Sequence, residues 1–328
     1  MGVVGALLLQ WCCSAVALAQ AAPAAALKSW NDGPARQAIV KFVDSVTTEG
    51  SAGYVAPEER IAVFDNDGTL WAEQPLYFQL QFMLEQVKAA APQHPEWKDN
   101  PAFKALAAGD KAALAALGIK PVLQLLAQAN SGMSTAAYDQ TIRDWLKSAR
   151  HPKFDRPYTD LVYVPMQELL LYLRAHGFKT FIVSGGSVEF MRPWAQQAYG
   201  IPPEQIIGTI SDTKFEFVAG QPALMRQPKI VFVDDGPGKP VGIYRGIGRQ
   251  PIFAFGNSDG DLQMLQWTAA GHGLHFMGLV HHTDDAREFA YDRTSRIGKL
   301  DKALDYARAH GWTVVDMQKE WNRVFSFQ

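Results

Sequence analysis

Residues Ile61-Ala62-Val63-Phe64-Asp65-Asn66-Asp67-Gly68-Thr69-Leu70 constrain this chain more than any other ten. Four apolar residues run without a polar break into two carboxylates spaced i and i+2, and Gly-Thr follows. A short apolar run bounded by turn residues reads as a strand buried on both faces, as in parallel sheets. The carboxylates then sit where that strand leaves its sheet, the end at which open α/β sheets hold their ligands. Two neighbouring acids repel, so a cation or a proton belongs beside them. An Asp after a buried strand also often just caps the next turn, and a single Asp-x-Asp leaves both readings open.

Three later stretches share this strand-then-turn character. Phe178 to Val183 is an apolar strand that ends in Ser184-Gly185-Gly186-Ser187. Two glycines at a strand end let the backbone approach an anion, and the next helix offers free N–H groups. Lys229 to Val233 reads as another strand before Asp234-Asp235-Gly236, and Lys239 stands in Gly-Pro-Gly-Lys-Pro ahead of a new helix. Pro251 to Phe255 is a further buried strand, opening into Gly256-Asn257-Ser258-Asp259-Gly260-Asp261. Ile206 to Ala219 reads as short β segments, and Leu274 to Val280 as one more strand. Strands alternating with helical patterns predict a doubly wound, mostly parallel α/β sheet.

In order, these four stations resemble the motifs of the haloacid dehalogenase superfamily. Its first motif is Asp-x-Asp-Gly/Ser-Thr after a buried strand, and its fourth is a Gly-Asp-x-x-x-Asp loop before a helix. Ser-Gly-Gly followed by a helix with Phe190, Trp194 and Tyr199 looks like the phosphoserine phosphatase branch. The resemblance implies an α/β Rossmannoid core with a helical cap inserted after the first motif. It also implies hydrolysis of a small phosphomonoester through an aspartyl-phosphate. Asp65 would be the nucleophile, and Asp67 the general acid and then base. Ser184, Gly185 and Lys239 would hold the transferring group, with Lys229 the weaker rival to Lys239. The implied cofactor is Mg²⁺, on Asp65, the Asp67 backbone carbonyl and Asp261 or Asn257. Asn257 stands where the family usually has Asp; its amide oxygen can ligate but brings no charge. Asp259 and Asp261 remain available. Asp67 favours a phosphatase, since family members that cleave carbon–halogen bonds need no such acid and the cation pumps carry Thr there. A phosphotransferase or phosphomutase is the alternative within the fold, and a non-catalytic binding protein the alternative outside that chemistry.

Between the first two stations the texture changes. Gln74 to about Tyr158 is rich in Ala, Leu, Gln and aromatics, punctuated by Pro92, Pro95, Pro101 and Pro121. No alternating pattern occurs there, so residues 74–158 are expected to form the helical cap, with 21–73 and 159–328 forming the core. Trp71, Glu73, Tyr77 and Phe78 read as helix packing, contact with a cationic or aromatic leaving group being the rival. His281 and His282 follow a strand with no third ligand at metal spacing, and read as surface histidines.

Val3 to Leu18 is mostly apolar, and Ala17-Leu18-Ala19 has the small-x-small pattern of a signal-peptide cleavage site. No Lys or Arg precedes the run, so the usual basic n-region is missing. Residues 1–20 are expected to be a signal peptide, the product periplasmic or secreted, with no stable membrane anchor after processing because the run is short for a span. Both cysteines, Cys12 and Cys13, lie inside it. The mature chain would therefore have no disulfide, thiolate catalyst or Cys-bound zinc. Lys plus Arg total 31 against 33 Asp plus Glu, a formal net charge of −2. That balance argues against a nucleic-acid partner held by phosphate neutralisation. A small phosphorylated molecule is the expected partner.

Overall fold

Strand β1 (Ile61–Phe64) is buried along its whole length, and the sheet grows outward from it on both sides. The computed structural model describes residues 27–328 apart from 109, 111, 112, 114, 115, 118 and 130. The expected signal peptide, with Cys12 and Cys13, lies outside the described residues. The other strands are β2 (Lys179–Ser187), β3 (Ile206–Val218), β4 (Gln221–Phe232), β5 (Phe253–Gly256), β6 (Phe276–His281) and β7 (Thr313–Asp316). They form one sheet in the order β4-β3-β2-β1-β5-β6-β7. Every pairing is parallel except β3 with β4. The chain builds from β1 through β2 and β3 on one side, then crosses back to add β5, β6 and β7 on the other. That reversal places a topological switch point beside β1, with the ends of β1, β2 and β5 around one crevice.

Helix α1 (Pro34–Thr47) precedes β1, and α2 (Phe78–Ala90), α3 (Pro101–Ala108), α4 (Ile119–Ala129) and α5 (Thr135–Ser148) lie between β1 and β2. Then come α6 (Val164–Ala175), α7 (Val188–Tyr199), α8 (Gly238–Gly246), α9 (Leu262–Ala269), α10 (Lys302–Ala309) and the short α11 (Met317–Glu320). Alternate residues of β1 serve opposite layers, as the pleat requires. Ala62 and Phe64 pack with α1, α6 and α7, through Phe42, Leu169 and Trp194 among others. Ile61 and Val63 pack with α8, α9 and α10, through Ile243, Leu265 and Leu304. Both faces are covered, which explains the unbroken apolar run.

The sheet's outer edge departs from the sequence reading. Residues 206–219 are not short segments: β3 is one 13-residue strand that leaves the sheet and pairs with the 12-residue β4 as a long antiparallel arm. Lys229 to Phe232 is strand as read, the end of β4, and it is the sheet's exposed edge. Lys229, Ile230, Val231 and Val233 are exposed, because β4 is the edge strand of the sheet and no second strand pairs with it there. An apolar run alone does not distinguish an edge from a centre.

The helices between β1 and β2 have a small core of their own around Val87, Trp97, Ala102, Val122, Leu125 and Leu126. They are laced to the arm by backbone bonds, Gly132 N–H to the Arg226 carbonyl at 3.1 Å and Arg226 N–H to the Met133 carbonyl at 3.0 Å. Among the described residues no helix is long and apolar enough to cross a membrane.

Candidate active site

Asp65 leaves the carboxyl end of β1 with its N–H bonded to the Phe255 carbonyl of β5 at 2.9 Å. Its side chain meets Lys239, the second residue of α8. The Lys239 ammonium donates to Asp65 Oδ1 at 2.6 Å, Asp261 Oδ1 at 2.6 Å and the Val183 carbonyl at 2.9 Å. Those three bonds match the three protons of an ammonium, and Lys239 is only 2 % exposed. Burial pulls its pKa down, but Asp261 and Asp65 together outweigh that and hold it above the ordinary lysine value. Breaking a buried pair of this kind costs about 3–5 kcal/mol. Lys229, by contrast, is exposed on β4 along the cavity wall.

The remaining acids are arranged by equally specific contacts. Burial pushes the Asp65 carboxyl well up, helped by Asp261 and opposed by Lys239. Asp67 is pushed up to about 6, again mainly by burial, against the pull of its bond to Trp71 and of Lys239. That bond runs from Trp71 Nε1 to Asp67 Oδ1 at 2.7 Å. Trp71 is therefore more than helix packing. It is fully buried, stacked 4.2 Å from Trp194, and its indole fixes the Asp67 carboxylate. Ser184 ends β2, where its Oγ accepts from Gly186 N–H at 3.1 Å and keeps its own proton for donation. Gly185 lines the same cavity.

The loop after β5 divides its polar groups in a way the sequence did not show. Asp261 Oδ2 accepts from the N–H groups of Asn257 at 2.9 Å and Ser258 at 3.0 Å, while Oδ1 faces Lys239. Asp259 points elsewhere: its Oδ1 accepts from Asp301 and Ala303 N–H, both at 2.9 Å, and caps α10. Asn257 donates from Nδ2 to Glu73 Oε1 at 2.6 Å and accepts from Thr69 Oγ1 at 3.1 Å. Tyr291 adds its hydroxyl to the same Glu73 oxygen at 2.8 Å. An acid at position 257 would set a second carboxyl against Glu73, whereas the amide gives it a donor, so the amide suits this neighbour. Glu73 is 1 % exposed, lines the cavity, and is pushed well up by burial. Gly68 (φ +75°) closes the turn, and a Cβ there would collide with Asn257 Nδ2 and the Glu73 carboxyl. Tyr77 lines the cavity, and Phe78 is core.

The surface reading of His282 is wrong. Only 2 % is exposed, and Nε2 sits 2.8 Å from the Gly68 carbonyl with Nδ1 3.2 Å from Glu288 Oε2. Its ring lies flat against Tyr291 at 4.3 Å. It braces the turn after Asp67 from behind. That role was invisible because Gly68 is 214 residues away in the chain. His281 is half-buried, 3.3 Å from Asp292.

Asp65, Asp67, Ser184, Gly185, Lys239 and Asp261 line one cavity of about 400 Å³, roofed by the helices after β1 and by the arm. Asn257 stands behind it, linked through Glu73. The donor chemistry fits a hard divalent cation. Three buried carboxyl groups, Asp65, Glu73 and Asp261, and the half-buried Asp67 lie with Lys239 on the cavity floor. Among the described residues no group of three or more His, Cys, Asp or Glu encloses a metal unaided. Mg²⁺ suits that openness, since it keeps several waters and uses one or two carboxylates plus a substrate phosphate.

Among solved structures, a conserved protein of unknown function from Anaerococcus prevotii DSM 20548 has a TM-score of 0.56 at 14% identity, over 89% of this chain and 94% of that one. A protein of unknown function from Bordetella pertussis Tohama I gives 0.49 at 16% identity, over 79% and 99%. A structure described as a probable phosphoserine phosphatase from Vibrio cholerae gives 0.36 at 15%, over 67% and 55%. At such identities the first of these speaks to the fold alone. No curated protein matches the chain. A family model described as haloacid dehalogenase-like hydrolase matches residues 62–266, a span that takes in Asp65, Asp67, Ser184, Lys239 and Asp261. With more than half of its length under that match and those side chains gathered at one switch point, this chain belongs to the haloacid dehalogenase-like hydrolases.

Proposed function

We propose that the protein is a Mg²⁺-dependent phosphatase that hydrolyses a small phosphomonoester through an aspartyl-phosphate on Asp65. The observation that carries this reading is the division of the two acids. Asp65 is gripped through Oδ1 by Lys239, which leaves Oδ2 as the attacking atom. Asp67, two residues on, is held by Trp71 with a pKa near 6, suited to both giving and taking a proton near neutrality.

In the first half-reaction Asp65 Oδ2 attacks phosphorus in line, and the bond to the leaving oxygen breaks. Asp67 gives its proton to that oxygen, so an alcohol departs and not an alkoxide. In the second half-reaction Asp67, now a carboxylate, takes a proton from water as the water attacks the acyl phosphate, releasing inorganic phosphate and restoring Asp65. Ser184 and Lys239 offer donors to the oxygens of the transferring group, from positions fixed before the substrate arrives. Asp65, the Asp67 backbone carbonyl, and Asp261 or Asn257 would hold Mg²⁺, which supplies the positive charge that lets one anion approach another.

Activity is expected to require added Mg²⁺ and to vanish in chelator. Asp261→Ala should raise the Mg²⁺ concentration for half-maximal activity by roughly tenfold or more, and by more than Asn257→Ala, because only Asp261 brings charge. Titrating activity against Mg²⁺ in both variants checks the order, with thermal melts to confirm folding. If Asn257→Ala needs more metal, the ranking of ligands is wrong. Generic aryl phosphate with Mg²⁺, compared with chelator, also separates a catalyst from a non-catalytic binding protein.

The Val3–Leu18 run and Ala17-Leu18-Ala19 support export to the periplasm or beyond, with a mature start near Gln20 or Ala21. N-terminal sequencing that finds an intact Met1 on soluble cytoplasmic protein would refute it.

A further inference from the structure

The cavity extends well beyond what phosphoryl transfer uses. At about 400 Å³ it falls within the roughly 300–1,000 Å³ of sites that enclose drug-sized ligands. The reacting groups occupy its floor, at the ends of β1, β2 and β5. Above them most of the apolar lining comes from Leu80 and Met83 of α2, Leu126 of α4, Tyr138 of α5, and Ile230 and Val233 on the arm side, with Gln79, Thr209, Ser211, Gln227 and the exposed Asp235 supplying polar groups between them.

The buried charge on these upper walls is already engaged. Arg226 lies 3.6 Å over the Tyr138 ring and donates to Glu189 Oε2 at 3.2 Å, with both side chains nearly buried. Its guanidinium therefore seals the cap, the arm and α7 together, and its charge is balanced by Glu189. Lys229, the other basic side chain on the arm wall, is exposed to solvent. On the floor, Glu73 is tied to Asn257 and Tyr291 through one oxygen.

We infer that the leaving group is an uncharged, largely apolar alcohol whose body lies between Leu80, Met83, Leu126 and Tyr138 on one side and Ile230 on the other. The inference rests on the phosphatase reading and names the substrate class for it. The reaction that consumes the product must therefore act on a free apolar alcohol, and the one that supplies the substrate must place a phosphate on it. A small amino alcohol reaching Glu73 is the rival that the lining disfavours.

The test is a ladder of phosphomonoesters on the purified protein with Mg²⁺: ethyl, butyl, hexyl and octyl phosphate, with phosphoethanolamine and glycerol phosphate beside them. Burial of one methylene corresponds to roughly a three- to fourfold gain, so kcat/KM should climb by about that factor per carbon until the cavity fills. Ile230→Glu, at an exposed arm position, should cut the octyl-to-ethyl ratio about tenfold. Met83→Trp, which occupies the opposite wall, should make the climb stop at a shorter chain. A flat ladder, or phosphoethanolamine turned over better than hexyl phosphate, would overturn the inference while nitrophenyl phosphate turnover leaves the phosphatase reading standing. No turnover of any ester, nitrophenyl phosphate included, would overturn both.

Discussion

Asp65→Asn is expected to lower turnover by on the order of a thousandfold or more, the scale at which covalent enzymes suffer when their nucleophile is removed. An amide cannot form the acyl phosphate, and Ser184 and Lys239 can still bind a phosphoryl group that then has nothing to attack it. The fold should survive. The replacement keeps an oxygen for Lys239 to bond, and it removes a buried negative charge that stands against Asp261 and Asp67. Those two effects oppose each other, so the melting temperature should change little. Steady-state kinetics with a thermal melt decide the matter. Residual activity above roughly a tenth of wild type, with an unchanged melt, would remove Asp65 from the nucleophile's role.

Asp67→Asn should separate two kinds of substrate. An alkoxide leaving phosphorus needs its proton as the bond breaks, whereas a nitrophenolate departs well without one. The variant is therefore expected to lose far more activity on an alkyl phosphate than on nitrophenyl phosphate. Proton transfer contributes about two to four orders of magnitude, and the gap between the substrates should be a measurable part of that. The same substitution removes the base for the second half-reaction. On the activated ester the variant should accumulate phosphorylated Asp65, visible by intact mass after rapid acid quench, and Asp65→Asn should show no such species. Equal losses on both esters with no trapped intermediate would reduce Asp67 to a support for the metal or the turn. Trp71 matters to this experiment, because its indole holds the acid in place and an Asn at 67 can still accept that bond through its amide oxygen.

Several parts of this molecule are legible in one dimension because they are local. Phe64 packs against Phe253 and Phe255 inside the sheet, and the apolar runs that contain them announce buried strands in sequence. The turn after β1 must place Asp65 and Asp67 at the strand's end, and Gly68 marks where the backbone needs a positive φ. Ser187 caps α7 through the N–H groups of Glu189 and Phe190, a pattern readable from neighbouring residues. From such features the parallel core, the helical stretch after it and the residues proposed for the chemistry all follow.

What needed the tertiary structure was partnership across distance. Glu73 and Asn257 are 184 residues apart, and only the adjacency of β1 and β5 brings the carboxylate to the amide. His282 reaches Gly68 across 214 residues, so a histidine that looks superficial is a buried brace. Asp259 and Asp261 are two residues apart with the same chemistry, yet one caps α10 and the other holds Lys239. The direction each side chain takes at the loop decides that, and residue type does not encode it. The arm made by β3 and β4 is the clearest case, because an exposed apolar edge and a buried apolar strand share one pattern. Local periodicity records how much of a segment is buried; only the packed chain records what it is buried against.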